Sequence, residues 1–241
     1  MSPAQKKSSK KSPKKSQPMR VRLLGESGGE TGGKRGGENG ALRELARRDQ
    51  DIARALDTYG APADRSMPAD FTTLARIITG QQISRHAASA VWRGMEAAGF
   101  SQAEAVAAAS IEALRGVGLS ARKAEYIQNL ARAIMTGELD LPKLAHVSGE
   151  EAAAILTALP GIGDWTADNY RLFALLDMDA WPYNDLALQG GMKIVKNLEV
   201  RPDGKAMQAM GEDWRPWRGA GALMLWHVYA RHRHDAAPVA I

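Results

Sequence analysis

The sequence predicts an all-α fold preceded by a disordered basic tail. From Ala41 onward apolar residues recur at helical spacing, as in Leu42, Leu45, Ile52 and Leu56, and almost no segment alternates with period two. Residues 1–40 read KKSSKKSPKKS and then GESGGETGGKRGGENG, with too few large apolar side chains to offset the entropy of ordering. Charge divides at the same place. The first 40 residues hold seven Lys and three Arg against Glu26, Glu30 and Glu38, a net of +7, so a 241-residue chain of net charge +5 carries −2 over residues 41–241. The expected boundaries are 1–40 for the tail and 41–241 for the folded domain.

Within the folded part, the periodicity predicts helices over 41–58, 71–98, 102–109, 111–115, 120–136, 149–157, 164–176, 186–197, 204–210 and 216–233. Local chemistry supports several ends. Ser120 can cap a helix that Gly137 stops, Ser148 and Glu151 have the spacing of a capping box, and Pro216 suits a first helical turn. Lys6, Lys7, Lys10, Lys11, Lys14 and Lys15 in the tail suit sequence-independent phosphate contact or simple solubility.

Composition excludes several chemistries. Without Cys there is no disulfide, thiolate zinc site, cysteine-ligated cluster or thiol nucleophile. The N-terminus lacks the apolar core of a signal peptide and no run of about 18 apolar residues occurs, so a soluble, non-secreted protein is expected. Two motif matches in the tail fail on context. Gly25 to Gly29 fits G-x-S-x-G, and Gly28 to Lys34 fits G-x-x-x-x-G-K with Arg35 in place of Ser/Thr, but neither has the preceding strand or following helix that would aim it. His232 and His234 lie two residues apart, which splays them around a helix, and no metal site is expected.

Two glycine turns stand about 45 residues apart, Leu114-Arg-Gly116-Val-Gly118 and Leu159-Pro-Gly161-Ile-Gly163, each between short helices. Paired glycines let the backbone turn tightly and expose amides at the start of the next helix, where the dipole favours an anion. The alternative is a plain helix-to-helix turn, the favoured reading for Gly116 to Gly118.

LPGIGDWTA (Leu159 to Ala167) resembles the hairpin of the helix-hairpin-helix DNA glycosylases, and the likeness continues through four other blocks in the same order. These are ITGQQIS (Ile78 to Ser84), GLSARKAEYI (Gly118 to Ile127), DAWPYNDLALQ (Asp179 to Gln189) and WRPWRGAGALMLW (Trp214 to Trp226). The chain looks most like the 3-methyladenine DNA glycosylase II subfamily, over roughly residues 66–234. The β-rich N-terminal domain of some members has no counterpart here. The resemblance implies a two-lobed helical domain, a monomer acting on double-stranded DNA with alkylated bases, and residence in the cytoplasm and nucleoid, or the nucleus of a eukaryote.

The same resemblance implies roles for particular residues. Asp185 becomes the catalytic aspartate, although spacing alone reads it as an N-cap for a helix beginning at Leu186. Trp165 and Trp226 match base-pocket positions, with core packing as the alternative. Asn169 and Leu186 stand where the best-known pattern differs, which leaves the pocket's range of bases open. Gln82, with Gln81 second, matches the wedge that fills the hole left by a flipped base. Gly161, Ile162, Gly163 and Thr166 form the phosphate-binding hairpin. No cofactor is expected, though relatives often bind a monovalent cation through hairpin carbonyls.

Bifunctional relatives carry a hairpin Lys where this chain has Trp165, and an indole cannot form a Schiff base. The expected activity is therefore a monofunctional hydrolase leaving an abasic site. Two other readings stay open, a non-catalytic DNA-binding module and a glycosylase for an oxidised or deaminated base.

Overall fold

The computed structural model describes residues 40–236. The tail expected over 1–40 lies, apart from Gly40, outside the described residues. Among these, thirteen helices and no strand are found. They are α1 Ala41–Arg48, α2 Gln50–Tyr59, α3 Phe71–Gly80, α4 Arg85–Ala97, α5 Ala103–Ala108, α6 Ile111–Gly116, α7 Ala121–Met135, α8 Leu141–Leu144, α9 Gly149–Thr157, α10 Asp164–Phe173, α11 Leu186–Val195, α12 Gly204–Glu212 and α13 Arg218–Ala236.

Caps explain where the helices start. Ser120 and Ser148 accept hydrogen bonds from the amides of Lys123 and Glu151, as their spacing suggested. Two expected helices are each broken in two. The run over 41–58 is interrupted at Asp49, whose carboxylate accepts from the amides of Asp51 and Ile52 and restarts the chain as α2. The run over 71–98 is interrupted at Gln81 to Ser84, where Gln82 takes a left-handed backbone (φ 56°) and Ser84 caps α4. Apolar spacing is the same on both sides of each break, so periodicity reads straight across them.

Smaller corrections have similar local causes. α10 ends at Phe173 rather than 176 because Leu176 is left-handed (φ 55°). The last helix starts at Arg218, leaving Pro216 outside it in a cis peptide with Arg215. α8 was not expected; Asp140 caps its single turn and Pro142 sits near its start.

The helices bury two cores. One gathers Leu74, Ile78, Met95, Leu114, Ile127, Leu130 and Leu156 from α3 to α9. The other gathers Leu42, Leu45 and Ile52 from α1 and α2 with Leu188, Met192, Met224 and Leu225 from α11 and α13. α10 belongs to both: Ala167 and Tyr170 enter the first core, Leu172 and Phe173 the second. α11 and α13 pack together closely because a β-carbon at Gly191 would collide with the Leu225 carbonyl.

Candidate active site

An open groove of about 1030 Å³ runs along the junction of the two lobes. One wall comes from Gln81, Gln82 and Ile83 between α3 and α4, another from Arg122, Lys123 and Tyr126 on α7. The turn Leu159 to Gly163 contributes to the lining, with Trp165, Asp185 and Leu186 beside it.

Asp185 is both a cap and a groove residue. Its Oδ1 accepts from the Leu188 amide (2.8 Å) and from Trp226 Nε1 (2.9 Å), while Oδ2 accepts from Trp165 Nε1 (3.0 Å). All three donors are neutral N–H groups, and they fix the carboxylate in plane and direction. The two indoles come from different helices, Trp165 from the first turn of α10 and Trp226 from α13. The role of these tryptophans as clamps on the carboxylate was not legible in their spacing.

The turn after α9 has the geometry its glycines suggested. Gly161 is left-handed (φ 90°), and a β-carbon there would run into the Tyr126 ring, so both conformation and closeness demand glycine. α10 begins at N-cap Gly163 without a side-chain cap, which leaves its first-turn amides without a side-chain acceptor. The Ile162 amide is not among those available, because it donates to the Leu159 carbonyl within the turn (3.2 Å). The Thr166 side chain is buried and its hydroxyl accepts from Gln81 Nε2 (2.8 Å), so it supports the turn from behind.

Gln81 likewise turns inward. Its Nε2 also donates to the Gly161 carbonyl (3.0 Å), tying the α3–α4 connection to the turn, and Lys123 Nζ donates to the carbonyls of Thr79 (2.8 Å) and Gln81 (2.6 Å). Burial lowers the Lys123 pKa. Gln82, held between these anchors, is exposed on the groove rim. Of the two glutamines only Gln82 is placed to project from the surface.

Asn169 does not reach the groove. It is buried one turn below Trp165 and donates to that residue's carbonyl (2.6 Å), as an i, i+4 neighbour on α10 would. Leu186, at 63% exposure, lies open on the groove edge. The Trp226 ring stacks on Phe173 with centroids 5.7 Å apart. Sequence spacing gave no hint of Arg65, a lone cation in the α2–α3 connection, whose guanidinium lies 4.8 Å from the Phe173 ring centre and 5.9 Å from that of Trp226. Burial and the Arg85 charge lower its pKa, and the Asp185 charge opposes them.

Comparison with known proteins agrees with this architecture. Residues 75–216 match the model for HhH-GPD superfamily base excision DNA repair proteins. A Bacillus subtilis DNA-3-methyladenine glycosylase is 28% identical over 137 residues, 57% of this chain and 45% of its own length. This chain thus spans about half the length of that relative. DNA-3-methyladenine glycosylase 1 of Schizosaccharomyces pombe is 29% identical over 180 residues, covering 73% of this chain and 79% of its own. The solved structure of the Schizosaccharomyces pombe 3-methyladenine DNA glycosylase Mag1 in complex with abasic DNA superposes with a TM-score of 0.70 at 28% identity, over 77% of this chain and 94% of that one.

Proposed function

This chain belongs to the HhH-GPD superfamily of base excision DNA repair proteins, and from that premise we propose that it is a monofunctional DNA glycosylase for alkylated purines in duplex DNA. The observation that carries the proposal is the Asp185 carboxylate, clamped by two indoles and a backbone amide where the groove meets the junction of the lobes. The relatives named as 3-methyladenine DNA glycosylases support the choice of substrate class.

In this reading the DNA backbone lies on the turn, with phosphate oxygens accepting from the amides of Gly161, Gly163 and the start of α10. Arg122, exposed on the facing wall, adds a charge to the same track. Gln82 enters the base stack and fills the space that the flipped nucleotide leaves, while the bonds of Gln81 to Gly161 and of Lys123 to the Gln81 carbonyl anchor the residue before it. The Gly161 carbonyl accepts from Gln81 and the Leu159 carbonyl from Ile162, and each keeps a second lone pair with which hairpin carbonyls could hold a monovalent cation.

N-alkylation makes the purine cationic and a good leaving group, so the sugar is where help is needed. As the C1′–N bond breaks, its electron pair leaves with the base and positive charge grows on the deoxyribose. The Asp185 carboxylate stabilises that charge and orients the attacking water, whose oxygen bonds to C1′ while its proton passes to the carboxylate or to solvent. Because the clamp is preformed, the carboxylate does not have to reorganise as charge develops. Trp165 offers no amine, so the reaction stops at the abasic site.

The test is incubation with dimethyl-sulfate-treated duplex DNA, identification of released bases by mass, and assay of strand breaks with and without alkali. Release of methylpurines with breaks only after alkali is expected. DNA binding without any base release would transfer the chain to the non-catalytic class. Among the described residues no helix is long and apolar enough to cross a membrane, and the protein acts wherever its DNA lies, nucleoid or nucleus. Residues 1–40 add phosphate contacts in this proposal: deleting them flattens the salt dependence of DNA binding and leaves single-turnover excision at saturating enzyme unchanged.

A further inference from the structure

The groove stops short of the aromatic pair beside Asp185. Trp165 and Asp185 line it, but neither Phe173 nor Trp226 does. Over those two rings lies the guanidinium of Arg65, 4.8 Å from one centre and 5.9 Å from the other. The backbone around it is pinned, because the Met67 amide donates to the Phe173 carbonyl (2.9 Å) and the Ser66 amide to the Asp64 side chain (2.8 Å). Arg65 keeps solvent access although its guanidinium packs on the rings, so its side chain can leave them by rotation alone while the connection stays in place.

A guanidinium and an N-alkylated purine share three properties: both are planar, both are cationic, and both are attracted to the face of an indole and to a nearby carboxylate. Two such cations cannot occupy the same aromatic face without mutual repulsion. The geometry points to Arg65 as a resident cation that occupies the stacking face of Trp226 and Phe173 in the DNA-free protein and competes with a cationic flipped base for it. Arg65 is thus a specificity-determining residue: it raises the threshold for cationic bases more than for neutral ones of similar size, because only the former repeat its charge. This inference rests on the glycosylase reading of the same site.

Arg65→Ala and Arg65→Lys separate charge from shape. With duplex DNA carrying a single 7-methylguanine, Arg65→Ala raises kcat/KM roughly tenfold, the scale of one cation–π contact removed from the competitor. With hypoxanthine, a neutral purine, it changes excision less than about twofold. Arg65→Lys, which keeps the positive charge, retains the wild-type preference. Equal gains on both bases, a loss on either, or an Arg65→Lys variant that behaves like Arg65→Ala would overturn charge competition at this face.

A second measurement does not depend on turnover. Titrating the full chain with the cationic nucleoside 7-methylguanosine, followed by tryptophan fluorescence, gives tighter binding for Arg65→Ala than for the wild type, while inosine binds both alike. If the wild type releases no base from any alkylated DNA, the glycosylase reading fails. An unchanged 7-methylguanosine affinity in Arg65→Ala removes the Arg65 inference instead.

Discussion

Asp49 and Asp185 are built alike and placed to do different things. Each caps a helix, α2 and α11 respectively, and each accepts from a tryptophan indole, Trp214 Nε1 at 2.7 Å for Asp49 and Trp165 and Trp226 for Asp185. Asp49 is also ion-paired, with Lys196 Nζ 2.6 Å from its Oδ2. Burial pushes its pKa up, but the bonds from Lys196, Trp214 and the Ile52 amide outweigh burial and hold it below the usual carboxylate range. The partners of Asp185 are neutral, and it faces a groove. A capping aspartate hydrogen-bonded to a cation is satisfied and structural; one whose hydrogen bonds all come from neutral donors leaves its carboxylate aimed at whatever enters.

The largest expected effect follows from replacing the charge at Asp185. Asp185→Asn preserves a capping side chain but presents a neutral amide, so single-turnover excision falls on the order of hundred-fold, about 3 kcal/mol of barrier. Its thermal midpoint falls modestly, because the amide nitrogen cannot replace the oxygen that accepts from Trp165 Nε1. Full activity in this variant would remove Asp185 from the chemistry.

Asp49→Ala reverses the pattern. It deletes a cap, leaves the Trp214 N–H without its acceptor and takes one of two carboxylates from Lys196, for a loss of about 3 kcal/mol in urea unfolding. Excision per folded molecule is unchanged below the transition. A selective loss of rate would mean the two aspartates are not functionally distinct.

Trp165→Phe sharpens the comparison by removing one donor from Asp185 while keeping an aromatic ring in the groove. A hydrogen bond to a charged acceptor contributes about 1.5–3 kcal/mol, and excision falls roughly tenfold or more. Changing the ring at Trp214 in the same way lowers stability instead.

The smallest effect is a slope against pH. Asp168 is buried, and burial raises its pKa to about 6 even though Arg171 Nη1 lies 2.7 Å away. A carboxyl with a raised folded-state pKa contributes stability that is complete below its ordinary value near 3.8 and disappears as pH rises through about 6. The thermal midpoint of the wild type therefore loses ground between pH 4 and 7 relative to Asp168→Asn. Asp49, with its lowered pKa, acts in the opposite sense at more acidic pH.

Much of this was legible in the chain. Helical spacing located most elements, and the ordered blocks from Ile78 to Trp226 pointed to Asp185, Trp165 and Gln82 together. Periodicity missed the breaks at Asp49 and Gln82 because a kink need not alter the apolar pattern on either side; only the capping chemistry of Asp49 and Ser84 marks them. The resemblance placed Thr166, Gln81 and Asn169 at hairpin, wedge and pocket positions, and the structure has each supporting the surface from within. Arg65 could not be found that way, since its relation to Trp226 exists only after two lobes have closed around α10.

α10 carries Trp165 at its first turn and Phe173 at its last, one end in the groove and the other under Trp226. Asp185, at the start of α11, is therefore a suture between helices, stitched to α10 by one indole and to α13 by the other. Slight slippage of α10 against α11 and α13 would pull a donor off the carboxylate before it emptied either core, so the molecule would fall out of tune while still folded. Protection of the Leu188 amide from hydrogen exchange reads the tension of that stitch directly, and substitutions far from the groove that loosen it would lower turnover without weakening DNA binding.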